Sequence, residues 1–399
     1  MTKIVLLNVK YSPNLGDGII AECLEAEILK CLPGAVVMSM DLAGREQFGE
    51  GLDERRGLVL RLLQALPTGL RRFVTALLLQ TLIRTNYQEK WRRILDEADY
   101  AILGGGQIIA DADLNFPLKV NAALSTARRK RIPISIFGVG LAQHFSPKGK
   151  RLFSDAFARS KLVHVAVRDI GSQGNWSKHF EAGTEHKAEL CLDPGLLANE
   201  HYGIELSRSS NKKTIIGLGI TNPSVLALHS GRDATLLAKE TRDFWIELCS
   251  NLHSRGYVPK LFTNGPADDE AFLENIYKAT EDMGVMRAPR PKVPADLVAT
   301  IASLQALAAH RLHANIVAYS LKIPHVAFHW DQKLDSFMHL VGRDEYLADA
   351  SKTNANTIAD SLTAAMKAGI DETQHAEILA STRGAILKCV SDFSSSLHD

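Results

Sequence analysis

The chain has 399 residues, which at about 150 residues per domain suits two or three domains. Hydrophobic residues make up 46% and charged residues 23%, an ordinary balance for a soluble globular protein. The formal net charge of +1 excludes a general nucleic-acid binder, whose domain is usually clearly basic.

The N-terminal run MTKIVLLNVKYSP is too short for a secretory signal and reads as a first strand, Ile4 to Val9. Asn14-Leu15-Gly16-Asp17-Gly18 reads as a turn. Ile19 to Leu32 follows as an amphipathic helix, with Asp17 or Gly18 near its N-cap. Pro33-Gly34 stops that helix, and Ala35 to Met40 is a second strand, so the chain opens as βαβ. Gly44 to Ala98 is rich in leucine and arginine (Arg55, Arg56, Arg61, Arg71, Arg72, Arg84, Arg92, Arg93). It predicts two or three amphipathic helices with basic faces, which are either solvated, laid on an anionic membrane surface or used to hold an acidic substrate.

Tyr100 to Leu103 is a strand ending in Gly104-Gly105-Gly106-Gln107. Helix (Lys119 to Arg131), strand (Ile132 to Val139), helix (Lys150 to Arg159) and strand (Leu162 to Val167) follow, the last ending at Arg168-Asp169. Ser172 precedes a helix around Trp176, and Cys191 to Pro194 closes this half. The polar segment His201 to Lys213 is the best linker, with Ser207, Ser209, Ser210, Asn211 and Lys212 in it. A second alternating series then begins: strand from Thr214, helix Thr235 to Ser254, and strand Tyr257 to Thr263, with Asp268 as cap of the next helix.

The stretch Leu304 to Lys333 carries the clearest signal. An apolar run ends at His310, Arg311 and His313. A helical stretch follows, and a second apolar run from Val326 to Phe328 ends at His329, Asp331 and Lys333. This is strand, helix, strand, with polar residues at the strand ends. The expected fold is α/β, two Rossmann-like doubly wound domains facing a cleft. The domains are 1–200, with the basic insertion at 44–98, and 214–375, followed by a helical tail at 376–399.

No run of about 18 apolar residues exists, so nothing is expected to span a membrane. The five cysteines (Cys23, Cys31, Cys191, Cys249, Cys389) are scattered and form no CxxC pair. They point to a reducing compartment without structural zinc, and the expected location is the cytoplasm.

In open parallel sheets ligands lie outside the carboxyl ends of the strands. Asn14, Asp17, Gly104 to Gly106, Arg168, Asn264 and Arg311 all fall there. Arg311 offers a fork of donors suited to carboxylate or phosphate, or to a neighbouring acid. His313 suits a phosphate contact or general acid, or a buried cap of its helix. Arg168 would supply a second cationic arm, or pair with Asp169 or Glu181. Lys333 is a point charge. Asp17 suits an acid/base role or N-capping. The triple glycine permits close backbone approach to phosphate or sugar, or a tight turn with positive φ. It lacks the last glycine of GxGxxG, so a dinucleotide fingerprint is not supported. His310 and His313 lack a third metal ligand at matching spacing, and no GxSxG is present.

These residues form an ordered set: Asn14-Leu15-Gly16-Asp17, Asp99 to Gly106, Pro133 to Gly140, Val167-Arg168-Asp169 with Ser172, Asp193-Pro194, Arg311-Leu312-His313-Ala314, Pro324 and Asp331-Gln332-Lys333. The set resembles the polysaccharide pyruvyl transferase family. The basic insertion and the C-terminal tail fall outside the shared pattern. The resemblance implies a fold like the GT-B glycosyltransferases. It also implies phosphoenolpyruvate as donor and a cyclic pyruvate ketal on two sugar hydroxyls as product, with phosphate released. By motif, donor contacts fall on Arg168, Arg311, Leu312 and His313. The family's aspartate falls on Asp17 and its late lysine on Lys333. Asn14 and Gly104, Gly105 and Gly106 would line the acceptor side or serve as loop backbone.

His313 and Asp17 are then the candidates for acid and base. No metal or other cofactor is implied, with phosphoenolpyruvate as co-substrate. The acceptor would be a sugar or glycan, and the basic insertion is compatible with a lipid-linked one at the inner membrane face. The competing readings are a GT-B glycosyltransferase or sugar-nucleotide epimerase, and a non-catalytic glycan- or anion-binding protein of the same fold.

Overall fold

The computed structural model describes residues 1–49, 67–204, 213–230, 233–349 and 352–396. Arg55, Arg56 and Arg61 of the basic insertion, and Ser207, Ser209, Ser210, Asn211 and Lys212 of the linker, lie outside these residues. The chain divides into two compact units. One holds residues 1–12, 20–194 and 380–399; the other holds 13–19 and 195–379.

The first unit is built on a parallel sheet ordered β2-β1-β3-β4-β5-β6. Its strands are β1 (Lys3–Asn8), β2 (Val36–Asp41), β3 (Tyr100–Gly104), β4 (Ile134–Val139), β5 (Leu162–Val167) and β6 (Glu189–Leu190). Ile4 to Leu7 are fully buried, as expected for a parallel strand covered on both faces, which reads as a continuous apolar run. β4 is irregular: its register with β5 shifts between Phe137 and Val139, where Gly138 takes φ +65. The last helix closes this unit, with the Phe393 ring stacked 3.9 Å from that of Tyr100 and Asp392 2.8 Å from the buried His164.

The second sheet is ordered β12-β11-β10-β7-β8-β9 and is also parallel. Its strands are β7 (Ile215–Gly219), β8 (Val258–Phe262), β9 (Met286–Arg287), β10 (Ala306–Ala309), β11 (His325–Phe328) and β12 (Leu347–Ala348). This is the doubly wound order, in which the direction of winding reverses between β7 and β10. The predicted strand–helix–strand in Leu304 to Lys333 is present as β10, a helix Leu312–Ser320, and β11.

Five helices matter below: α1 (Leu15–Cys31), α2 (Thr68–Leu82), α3 (Gln88–Asp96), α4 (Asn115–Arg129) and α5 (Ala267–Thr280). With them go α6 (Leu312–Ser320) and α7 (Gln332–Leu340). One expectation is corrected, and the basic insertion is described in part. Helix α1 begins at Leu15, so Asn14 is the residue before it, and Gly16, Asp17 and Gly18 lie within its first turn rather than in a loop. Gly16 there serves close packing, shown below, not a reversal of the chain. In the basic insertion, α2 turns an apolar face outward: Leu70, Phe73, Leu77, Leu78 and Leu82 are exposed. Among the described residues the basic face begins only at Arg84, and Arg71 is paired with Asp113 at 3.0 Å.

Candidate functional site

In the second unit the carboxyl ends of β7, β8, β10 and β11 carry Thr221-Asn222, Thr263-Asn264-Gly265, His310-Arg311 and His329 to Asp331. Arg311 stands where the winding reverses. Its Nε and Nη2 donate to Asp269 Oδ2 at 3.2 and 2.6 Å, while the Asn222 amide donates to Asp269 Oδ1 at 2.8 Å. Asp269, on α5, is fully buried. It ties the loop after β7 to the loop after β10 and leaves Nη1 of Arg311 outside these two bonds. Burial pushes the Asp269 carboxyl above its ordinary value, against the lowering effects of the Arg311 guanidinium and the Asn222 amide.

Arg311 is also the residue before α6, and its side chain makes no cap bond to that helix. The first amides of a helix have no acceptor within it and form a natural anion site. Those of Leu312 and His313 occupy this position. Asn315, one turn on and fully buried, donates through Nδ2 to the carbonyls of Ala309 (3.2 Å) and Arg311 (3.0 Å), which fixes the path from β10 into α6.

His313 is buried and packs on the first turn of α1. A Cβ at Gly16 would come well inside 3.0 Å of His313 Cβ, Cγ and Nδ1. The segment Pro13–Ile19 is held there by its backbone: the Leu15 amide donates to Asn264 O at 3.0 Å. A Cβ on Gly265, whose φ is +109, would lie 2.8 Å from Pro13 O. Asp17 is half-buried and sits next to Gly16. Thr221 Oγ1 and Asn264 Nδ2, buried at the ends of β7 and β8, have no hydrogen-bond partner among the described residues.

His310 is not a ligand of this kind. Its ring stacks on Phe328 at 4.7 Å, and burial, aided by the Arg311 charge, pushes it down to about 3, so it is neutral. Its carbonyl accepts from Trp330 Nε1 at 2.6 Å, tying the loop after β11 to the loop after β10. On that loop Asp331 caps α7, accepting from the Lys333 and Leu334 amides at 3.1 Å each. Lys333 Nζ folds back to the same carboxylate at 3.0 Å. Its charge is therefore partly balanced by its own helix cap.

Arg168 belongs to the first unit, at the end of β5. It is buried, and its guanidinium lies 3.7 Å from Asp169 and 3.8 Å from Asp193, beyond hydrogen-bonding range. Of the two acids expected to pair with it, Asp169 does so loosely; Asp193 takes the other place. A Cβ on Gly140 would meet Arg168 Nη2 at 2.8 Å and Nε at 3.0 Å. Asp169 is the N-cap of the helix Ile170–Trp176. It holds Ser172 through the amide (2.6 Å) and the hydroxyl (2.9 Å), and that hydroxyl in turn accepts from the Leu141 amide at 2.9 Å. Gly104, Gly105 and Gly106 are buried at the end of β3. Gly105 and Gly106 take φ +79 and +71, and a Cβ on Gly105 would press on Ile20 at 3.0 Å. Turn geometry and packing against α1 thus account for Gly105.

Sequence reading missed Asp269 and Asn315. Both had a signal. Asp269 shares a helix face with buried Phe272, Leu273 and Ile276, so a carboxylate there needs a buried partner. Asn315 stands in an otherwise apolar helix. Asp268, read as a cap, is exposed in the first turn, and the residue before that helix is Pro266.

The model of the family described as polysaccharide pyruvyl transferase matches residues 14–332. No curated protein matches the chain. Among solved structures, the chain is similar to UDP-GlcNAc 2-epimerase from Neisseria meningitidis bound to UDP-GlcNAc. That match has 13% identity and TM-score 0.59, over 99% of this chain and 100% of that one. It is also similar to a glycosyltransferase from Rickettsia africae, at 10% identity and TM-score 0.52, over 99% and 98% of the two chains. At such identities the likeness is one of fold: each unit is a parallel-sheet α/β unit of the kind found in GT-B fold proteins.

Proposed function

The chain belongs to the polysaccharide pyruvyl transferase family, and from that premise we propose that it moves pyruvate from phosphoenolpyruvate onto two hydroxyls of a sugar. The product is a cyclic ketal in a glycan or glycan precursor. One observation carries the reading: Arg311, anchored by Asp269, stands at the open first turn of α6 with His313 seated on Gly16 beside it. This is a preformed place for a small dianion with a planar carboxylate or a phosphate.

The chemistry needs no oxidant. A proton is added to the methylene carbon of the donor, giving an oxocarbenium-like centre. One sugar hydroxyl attacks that carbon, the bond from carbon to the phosphate oxygen breaks, and the second hydroxyl closes the ketal. Of the two hydroxyl protons, one is balanced in the new methyl group and the other in the released phosphate. Arg311 and the amides of Leu312 and His313 hold the anionic donor. The His313 imidazole contacts phosphate and delivers a proton, a role commonly worth about 10²–10⁴-fold. Asp17, in the same unit, is the candidate to take a hydroxyl proton, and Lys333 adds charge at the rim. Arg168 is a further donor contact by motif. Asn14 and Gly104 to Gly106 are assigned to the acceptor.

The test is phosphate release from phosphoenolpyruvate by purified protein, with and without sugar acceptors, alongside the same protein given nucleotide sugars. Acceptor-dependent release supports the proposal. Turnover of a nucleotide sugar, with no acceptor-dependent release, replaces it with an epimerase or glycosyltransferase.

A further inference from the structure

We infer that α2 and the basic groove following it form a docking surface for an anionic phospholipid bilayer. Leu70, Phe73 and Leu77 recur at spacings of three and four, which places them on one helix face, with Leu78 and Leu82 beside them. Phe73 and Leu77 are 68% and 56% exposed. The opposite side holds buried Ala76 and, just past the helix, buried Ile83. A helix on a water-exposed surface normally directs charge outward; among the described residues, this one directs leucine and phenylalanine outward.

The chain continues through a π-helical turn, Ile83–Tyr87, into α3. The residues on this continuation change from apolar to basic. Arg84 and Arg92 face Arg129 and Lys130 at the end of α4 across a groove of about 240 Å³, with Glu89 as the carboxylate in its lining. Part of this charge is already paired: Arg92 with Glu89 at 3.1 Å and Lys130 with Asp96 at 2.7 Å. The lining remains cationic overall.

An apolar row running into a cationic groove matches the boundary between acyl chains and anionic headgroups. Charge argues against a second copy of the chain as the occupant. In an isologous contact this face meets itself, so the groove cations would face each other. A polar protein partner would leave the apolar row without a match. No helix among the described residues is long and apolar enough to cross a membrane, so the contact is peripheral. This surface does not depend on the pyruvyl-transfer reading and can be tested without any substrate.

The experiment is co-sedimentation of the full chain with vesicles of phosphatidylcholine alone and of phosphatidylcholine mixed with phosphatidylglycerol. Binding is expected to the mixed vesicles only, and to fall as salt screens the charge. A Phe73→Ser, Leu77→Ser variant should bind at least about tenfold more weakly, since two exposed apolar side chains no longer enter the bilayer. Arg84→Glu with Arg129→Glu should lose about fivefold or more for each charge removed. All four positions lie outside the candidate site, so phosphoenolpyruvate binding should be unchanged. Absence of vesicle binding by the wild type overturns the inference. Equal binding by both variants does the same, as does a concentration-dependent dimer that the Phe73 and Leu77 substitutions abolish without any vesicle binding.

Discussion

Gly16 and His313 are complementary: the imidazole of one occupies the space where any side chain on the other would begin. The close approach reaches His313 Cβ as well as the ring, so rotating the ring does not relieve a clash. Gly16→Ala should therefore move His313. The expected result is a loss of about 10²-fold in turnover, the scale of a misplaced general acid, with a smaller change in donor affinity and a stability lowered by about 1–3 kcal/mol, the usual cost of overpacking a buried contact. Wild-type turnover in this variant would mean that His313 does not act where it stands.

Asp269 is the buried anchor of Arg311. Arg311→Ala removes a forked, charged contact and should weaken phosphoenolpyruvate binding by about 100-fold. Asp269→Asn keeps the shape but loosens the guanidinium, and should cost about tenfold. Arg311→Lys should fall between the two, because an ammonium cannot reproduce the fork. Calorimetric titration of phosphoenolpyruvate into each variant gives these values. Unchanged affinity in Arg311→Ala places the donor elsewhere.

Arg168 rests over Gly140 with its two carboxylate neighbours at 3.7 and 3.8 Å. A guanidinium so loosely paired is available to an anion. On the proposal that Arg168 is a donor contact by motif, Gly140→Ala should mimic Arg168→Ala in reducing turnover by about tenfold or more. Steady-state rates of the two variants check this. A fully active Gly140→Ala would show that the guanidinium can move without consequence.

Burial, helped by neighbouring arginines, holds His310 and His325 at about 3. In the unfolded chain each titrates near 6.5. Below that value the unfolded state binds more protons than the folded one, so stability rises with pH and is lost as pH falls. These two buried histidines should together remove about 3 kcal/mol between pH 6.5 and 5. Urea melts at pH 7 and pH 5 measure it. A stability that does not fall across this range contradicts the buried, neutral assignment.

The strand–helix–strand of Leu304 to Lys333 was legible because the apolar runs are long and the polar residues collect at their ends. Arg311 and His313 could be placed at the start of a helix for the same reason. What sequence reading got wrong at Asn14 to Gly18 has a physical cause. Two glycines in five residues mimic a turn, whereas here Gly16 is demanded by a histidine nearly three hundred positions away in the chain. The outward apolar residues of α2 could not be told from the sequence, since arginine and leucine lie close together there and only the structure shows Arg71 turning to Asp113 while leucines face outward. The partners of Arg168 could not be chosen from sequence, since Asp169, Glu181 and Asp193 are equivalent until the strand ends are placed in space.

The central claim is tested most directly by following carbon-labelled phosphoenolpyruvate into a sugar acceptor by mass spectrometry and carbon NMR. The account predicts an acceptor heavier by one pyruvate less one water, a labelled ketal carbon bearing a methyl group, and one phosphate released per ketal. Arg311→Ala should abolish the product. Label that stays in phosphoenolpyruvate with every acceptor, while the same preparation turns over a nucleotide sugar, would contradict it.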